Sequence, residues 1–225
     1  PKHSALYKMF GWEAPTYAHL SLLVNEKKQK LSKRHGDVSV QDFKENGYLP
    51  EALINFIAFL GWNPGDEREI FSLKQLASEF DFAKVGKAAA VFNREKLDWY
   101  NQQYIRSMDL TALTVLVAPY LVNTNLIPEA GLENEQFTEE LEKAVELEKE
   151  RAKTLHDFAG ELAFIYAENL EYADELLVWK KGSREEAKKI LGDFSKFLPN
   201  MKSWSKEEIE NHTMKWIEKN EYGIG

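Results

Sequence analysis

The sequence predicts a mostly α protein with a small β-containing start, and three observations carry that reading. Apolar residues recur at helical spacing through most of the chain after Gly36. Serine, asparagine and aspartate stand repeatedly at the positions where helices begin. Only the run His19 to Asn25, "HLSLLVN", has the length and unbroken apolarity of a buried strand.

Taken in order, Ser39 with Asp42 three residues on makes a capping box, and Pro50 fits the first position of the helix "EALINFIAFLGW". There Leu53, Phe56, Ile57 and Leu60 mark one face for burial, and Gly61 supplies the stop. "NPGDERE" is turn chemistry, and Ser72 with Gln75 opens the next helix. Asn93 caps "REKLDWYNQQYI", with Leu97, Tyr100 and Tyr104 on one face. Asp109 caps "LTALTVLVAPYL", which Pro119 is expected to interrupt or end. A long helical pattern follows from Thr138 to Asn169. In it Leu141, Val145, Ala152, Leu155, Phe158 and Leu162 keep to one side, and the charges of "EELEKAVELEKERAK" form a solvated face. Ser183 with Glu186, and Ser205 with Glu208, begin two further helices.

Composition excludes several classes. With 44% apolar and 12% aromatic residues among 225, the chain has the makings of a sizeable core and is not a disordered one. It has no cysteine, which removes disulfides, thiolate nucleophiles and cysteine-rich zinc sites and fits a reducing compartment. No apolar run approaches the roughly eighteen residues of a membrane span, and no leader pattern opens the chain; a cytoplasmic protein without membrane contact is the expectation. The five histidines are scattered without ligand spacing, so no protein metal site is expected. There is no glycine-rich phosphate loop and no nucleophile elbow, and acid pairs such as Glu139 with Glu140 or Glu185 with Glu186 fall at helix starts, where the dipole favours them.

One stretch stands apart. The formal charge is −8, yet the nine residues from Glu26 to Arg34 hold five cations. "KLSKRHG" sets Lys30 and Lys33 three apart around Ser32, with Arg34 and Gly36 beside them, which makes a cationic loop suited to a polyphosphate. A lysine that reaches the phosphates as pyrophosphate leaves lowers the barrier rather than merely tightening binding.

The surroundings of that loop resemble a known family. The run "YAHLSLLVNEKKQKLSKRHGDVSVQDFKENGYLPEALINFIAFLGWNPGDEREIFSL" is similar to the signature-loop region of bacterial-type glutamyl-tRNA synthetases, class I enzymes whose KMSKS loop often reads KLSKR. The likeness continues through "AAAVFNREKLDWYNQQYI" and, more loosely, "LLVWKKGSREEAKKIL". It implies a short β-containing tail of a class I catalytic domain with the KLSKR loop (1–36), a helical stem-contact region (37–108), and an all-helical anticodon-binding portion in two subdomains (109–170 and 171–225). It implies the reaction too: glutamate and ATP, with accompanying Mg2+, give glutamyl-adenylate and pyrophosphate, and glutamate then passes to the terminal ribose of tRNA.

Carried over residue by residue, Lys33 and Lys30 take the catalytic positions and, with Ser32, the ATP contacts. Arg34 replaces the final serine of the written motif and is assigned to tRNA. Asn93, Arg94, Lys96, Asn101 and Arg106 are read as polar and cationic groups on exposed sides of their helix, available to an RNA backbone. Trp99, Tyr100 and Tyr104 are weighed as stacking groups against their commoner role as core. Trp179, Lys180, Lys181 and Arg184 form a second basic-aromatic patch.

The partner implied is tRNA(Glu), with tRNA(Gln) left open as a second acceptor, and the expected working form is a monomer. No HIGH-type motif occurs, so this chain alone is not expected to aminoacylate. Both ends read as truncations. The alternative from another class is a noncatalytic tRNA-binding or assembly module of the same descent. A glutaminyl-tRNA synthetase is disfavoured because the anticodon portion of that family is β-barrel and this one reads helical.

Overall fold

Short local signals decide where the chain turns into helix. The structure, a computed structural model, describes residues 2–18, 20–31, 39–86, 88–167, 170, 173–178, 182–201 and 203–222. The chain forms two compact units, Pro1–Ala167 and Glu168–Gly225.

In the first unit the elements run α1 (Lys2–Phe10), β1 (Leu23–Val24), α2 (Val40–Glu45), α3 (Pro50–Phe59), α4 (Leu73–Glu79), β2 (Ala90–Val91), α5 (Arg94–Ser107), α6 (Leu110–Asn123), α7 (Glu135–Glu148), α8 (Asp157–Glu161) and α9 (Ala163–Tyr166). The caps are those the sequence marks. Ser39 and Asp42 exchange hydrogen bonds as a capping box ahead of α2, and Ser72 and Gln75 do the same ahead of α4. Asn93 caps α5, Asp109 caps α6, and Pro50 occupies the first turn of α3.

The strand signal yields little strand. β1 and β2 form a two-stranded parallel sheet in the register Leu23 with Ala90 and Val24 with Val91. Helix α1, absent from the sequence reading, buries none of its residues.

The principal core lies where α3 and α5 meet α6–α8, around Leu49, Ala52, Ile105, Leu113, Val117, Leu121, Leu141, Val145, Leu155, Phe158 and Leu162. A second cluster of Phe43, Tyr48, Leu53, Phe56, Leu97 and Tyr100 joins α2, α3 and α5. A third, of Trp62, Phe71 and Leu76, closes the region around α4.

Three expectations need correction. The buried face of α3 is shifted: Ala52, Leu53, Asn55 and Phe56 are buried while Ile57 is half exposed, because Asn55 turns inward to accept from Phe71 N at 2.7 Å and donate to Glu69 O at 3.0 Å. Pro119 neither interrupts nor ends α6, which continues to Asn123. The carbonyl deprived of its donor belongs to Val115, an exposed residue rather than one of the core.

The long helix expected from Thr138 to Asn169 is broken after Glu148. Asp157 Oδ2 accepts from the N–H groups of both Lys153 and Thr154 at 2.9 Å, and Thr154 Oγ1 accepts from Asp157 N at 3.2 Å. This box closes the turn that leads into α8, where the old helix would otherwise have run on. All six residues expected on the buried side are nevertheless buried.

In the second unit α10 (Arg184–Phe197) starts at a Ser183–Glu186 capping box, and Ser205 caps α11 (Lys206–Lys219) through Glu208 N. Phe194, Phe197 and Trp216 bring their ring centroids within 5.0–5.9 Å of one another and hold α10 to α11.

Candidate nucleic-acid interface

The cationic loop is anchored at both described ends. On its near side the chain folds back over Asn25–Gln29. Asn25 N donates to Gln29 O at 2.8 Å, Gln29 N to Asn25 Oδ1 at 2.9 Å, and Lys28 takes φ 60° to close the turn. Val24 and Lys30 then form an antiparallel bridge, and Leu31 N donates to Leu23 O at 3.1 Å. Lys30 is thus fixed by its backbone while its side chain is exposed. On the far side the Ser39 box begins α2. Ser32, Lys33 and Arg34 lie outside the described residues.

The same anchor is tied to α5. Ala90 N donates to Leu22 O at 3.0 Å and Phe92 N to Val24 O at 2.8 Å, which brings the loop base against the start of that helix. Asn93 Oδ1 accepts from Lys96 N at 2.7 Å, and Asn93 Nδ2 lies 3.5 Å from Glu26 Oε1. As the cap of α5, Asn93 has its side chain largely committed.

Arg94 lies over the rings of Phe43 and Tyr48, 5.3 and 4.9 Å from their centroids, and donates from Nε to Tyr48 Oη at 2.8 Å. Tyr48 donates in turn to Asp98 Oδ1. Burial, reinforced by the Asp98 carboxylate, holds the Tyr48 phenol well above its ordinary pKa, so it remains a donor. Asn46, Tyr48, Arg94, Lys153 and His156 line a cavity of about 250 Å³.

Lys96 is on another face. Its Nζ stands 2.6 Å from Glu69 Oε2 and 4.1 Å from the centre of the Trp99 ring, which is 36% exposed. Lys96 and Trp99 therefore present a cation and an aromatic face together at the surface. Tyr100 is buried, and Tyr104 is spent on the interior, donating from Oη to Phe71 O at 2.6 Å. Its phenol is pushed up to about 12 by burial. Of Trp99, Tyr100 and Tyr104, Trp99 is the most open to solvent, Tyr104 is half-buried with its hydroxyl turned inward, and Tyr100 is buried.

Asn101 corrects the sequence reading outright. It is wholly buried rather than on an exposed side, because its Oδ1 accepts from Leu49 N at 2.8 Å and its Nδ2 donates to Lys153 O at 2.6 Å. Arg106 remains at the surface, with Nε 3.1 Å from both the Glu150 carbonyl and the Glu150 carboxylate. In the second unit Arg184 begins α10 and is exposed, while Trp179, Lys180 and Lys181 lie outside the described residues. Among the described residues no group of three or more histidines and carboxylates is arranged to hold a metal, and no helix is long and apolar enough to cross a membrane.

Sequence reasoning missed Tyr48, Asn55, Asp98 and the Thr154–Asp157 box. Only the last carries a local signal, the spacing Thr-x-x-Asp at 154–157.

Comparison with known proteins gives the family of the chain. Residues 1–99 match the family model of the catalytic domain of class I tRNA synthetases for glutamate and glutamine, and residues 112–225 match an anticodon binding domain. Those two segments in that order define a class I aminoacyl-tRNA synthetase. A glutamate–tRNA ligase of Pelodictyon phaeoclathratiforme is 39% identical over 221 residues, 96% of this chain and 44% of the relative. That of Clostridioides difficile is 40% identical over 176 residues, 78% of this chain and 32% of the relative. A crystal structure of a glutamate tRNA ligase from Elizabethkingia meningosepticum, in complex with its amino acid, superposes with a TM-score of 0.70 at 30% identity, over 99% of this chain and 46% of that one. The chain belongs to the glutamate–tRNA ligase family. It spans less than half the length of the relatives it matches.

Proposed function

We propose that this chain serves a glutamate–tRNA ligase, supplying the ATP-contacting loop and the helices that hold tRNA. Residues 1–36 are assigned to the end of the catalytic domain, 37–108 to stem contact, and 109–170 and 171–225 to anticodon binding. The observation that supports it best is the tie between the loop base and α5. The hairpin carrying Lys30 is hydrogen-bonded to the residues that start the helix bearing Lys96 and Trp99, so one short piece of structure carries both the phosphate-directed loop and a surface suited to RNA.

In this reading Lys33 and Lys30, with Ser32, meet the phosphates of Mg2+-bound ATP. As the glutamate carboxylate attacks the α-phosphorus, charge builds on the bridging and terminal oxygens of the departing pyrophosphate. Ammonium donors that reach those oxygens at that moment stabilise the transition state. The terminal ribose hydroxyl of tRNA(Glu) then attacks the glutamyl carbonyl and AMP leaves. Arg34, Asn93, Arg94, Lys96, Arg106 and, in the second unit, Lys180, Lys181 and Arg184 contact RNA; tRNA(Gln) is a second candidate acceptor. The enzyme works as a monomer in the cytoplasm.

The test is binding of the 225-residue chain to glutamate tRNA and to an unrelated tRNA across a salt series. Preference for glutamate tRNA that survives at higher salt supports the reading. Equal affinities that fall together as salt rises would overturn it.

A further inference from the structure

Helix α7 ends at Glu148, and the turn that follows leaves carbonyls that no helical N–H can satisfy. Side chains of α5 fill that need. Gln102 Nε2 donates to Glu150 O at 3.2 Å and to Arg151 O at 3.0 Å, and Asn101 Nδ2 donates to Lys153 O at 2.6 Å. The turn is held from a second direction as well, since Leu155 N donates to Gly47 O at 2.9 Å.

Asn101 is the centre of this arrangement. Its one acceptor takes the N–H of Leu49, the residue that precedes α3, and its amide donors serve Lys153 O and, at 3.5 Å, Gly47 O. Aspartate would offer no donor there, and serine is too short to span both sides. Gly47 leaves no slack either. It has φ +79°, and a Cβ at that position would stand 2.5 Å from His156 N and 2.7 Å from Leu155 N. Apolar packing already joins these helices, but packing alone tolerates sliding and repacking, whereas a buried amide with directed bonds to both sides fixes one register.

We infer that Asn101, with Gly47 and Gln102, is a register lock that holds the α3–α5 block and the α6–α9 block in the one relative placement at which both engage the same tRNA. Asn101 is a positioning residue and touches no RNA. The inference rests on the proposed tRNA-holding function. Two surfaces that must meet one rigid ligand gain affinity from being held in place beforehand, and that gain disappears when the joint loosens even if each surface is intact.

The experiment compares this chain with its Asn101→Ala, Gly47→Ala and Gln102→Ala variants. Affinity is measured for whole glutamate tRNA and, separately, for an RNA hairpin of its acceptor and D stems and a hairpin of its anticodon stem. Amide exchange at residues 147–157 reports whether the joint has opened. Gln102 is at the surface, so its variant keeps the test open should a buried change prevent folding.

The lock predicts that whole-tRNA affinity falls by about tenfold as exchange at 147–157 rises, with both hairpins bound as before. A joint that opens without loss of whole-tRNA affinity would overturn the inference, as would equal losses for tRNA and hairpins, which mark general damage. Failure of the unmodified chain to prefer glutamate tRNA would instead overturn the functional reading beneath it.

Discussion

Lys96 Nζ stands 4.1 Å from the centre of the Trp99 ring and 2.6 Å from Glu69 Oε2, so one ammonium group serves an aromatic face and a carboxylate at the protein surface. Exposed pairs of this kind contribute about 0–1 kcal/mol to stability. Their use is therefore better sought in binding. Lys96→Gln is expected to leave the thermal midpoint within a few degrees, to weaken tRNA binding about equally for every tRNA tested, and to reduce the slope of log affinity against log salt by about one. Titrations at four salt concentrations check all three.

Gly47 and Gly65 both have positive φ, +79° and +98°, yet they differ in what surrounds them. A Cβ at Gly65 meets nothing within 4 Å, while one at Gly47 meets the backbone of the turn at 155–156. Gly65→Ala should cost about 1 kcal/mol, the backbone term alone. Gly47→Ala should cost about 3 kcal/mol, because the turn has to move as well. Urea denaturation of the two variants measures the difference.

The phenols of Tyr48, Tyr100 and Tyr104 are all raised, in each case chiefly by burial, and that of Tyr104 lies at about 12. In the unfolded chain they titrate near 10. A raised folded pKa means that the native state retains protons which the unfolded state has released above pH 10, so stability is undiminished below that pH and declines as pH climbs through 10 to 12. Tyr104→Phe should make the decline shallower over that window, at the cost of a bond to Phe71 O. Denaturation midpoints at pH 8, 10 and 11 compare the two proteins.

Asp157→Ala removes the acceptor for two backbone N–H groups, those of Lys153 and Thr154, in the turn that precedes α8. A loss of about 1–2 kcal/mol is expected, concentrated at residues 149–157. Amide exchange resolved along the sequence distinguishes this from a uniform loss.

What could be read from the sequence follows from how far apart the deciding atoms are. The caps Ser39, Ser72, Asn93, Asp109 and Ser183 act on groups three residues on, and the sequence shows both partners. The buried side of residues 141–162 was legible even though its helix was not continuous, since periodic apolarity survives a break that a buried turn imposes. Asn101 was misread because its partners are 52 positions away on either side, at Leu49 and Lys153. Nothing near it distinguishes a buried asparagine from an exposed one. The Tyr48–Asp98–Arg94 network was likewise hidden by a separation of 46 to 50 residues. The loop motif was legible as chemistry, since lysine spacing is local, but not its attachment to α5, which runs through a strand pair joining residues 23–24 to 90–91.

The central claim is that the loop lysine acts on ATP while the helices hold tRNA. Its most direct test is Lys33→Ala in a protein carrying this chain behind a nucleotide-binding half, with glutamate-dependent ATP–pyrophosphate exchange and tRNA affinity measured side by side. The account predicts that exchange falls by about two orders of magnitude, on the order of 3 kcal/mol of transition-state stabilisation, with tRNA affinity unchanged. Exchange at the unmodified rate would contradict it.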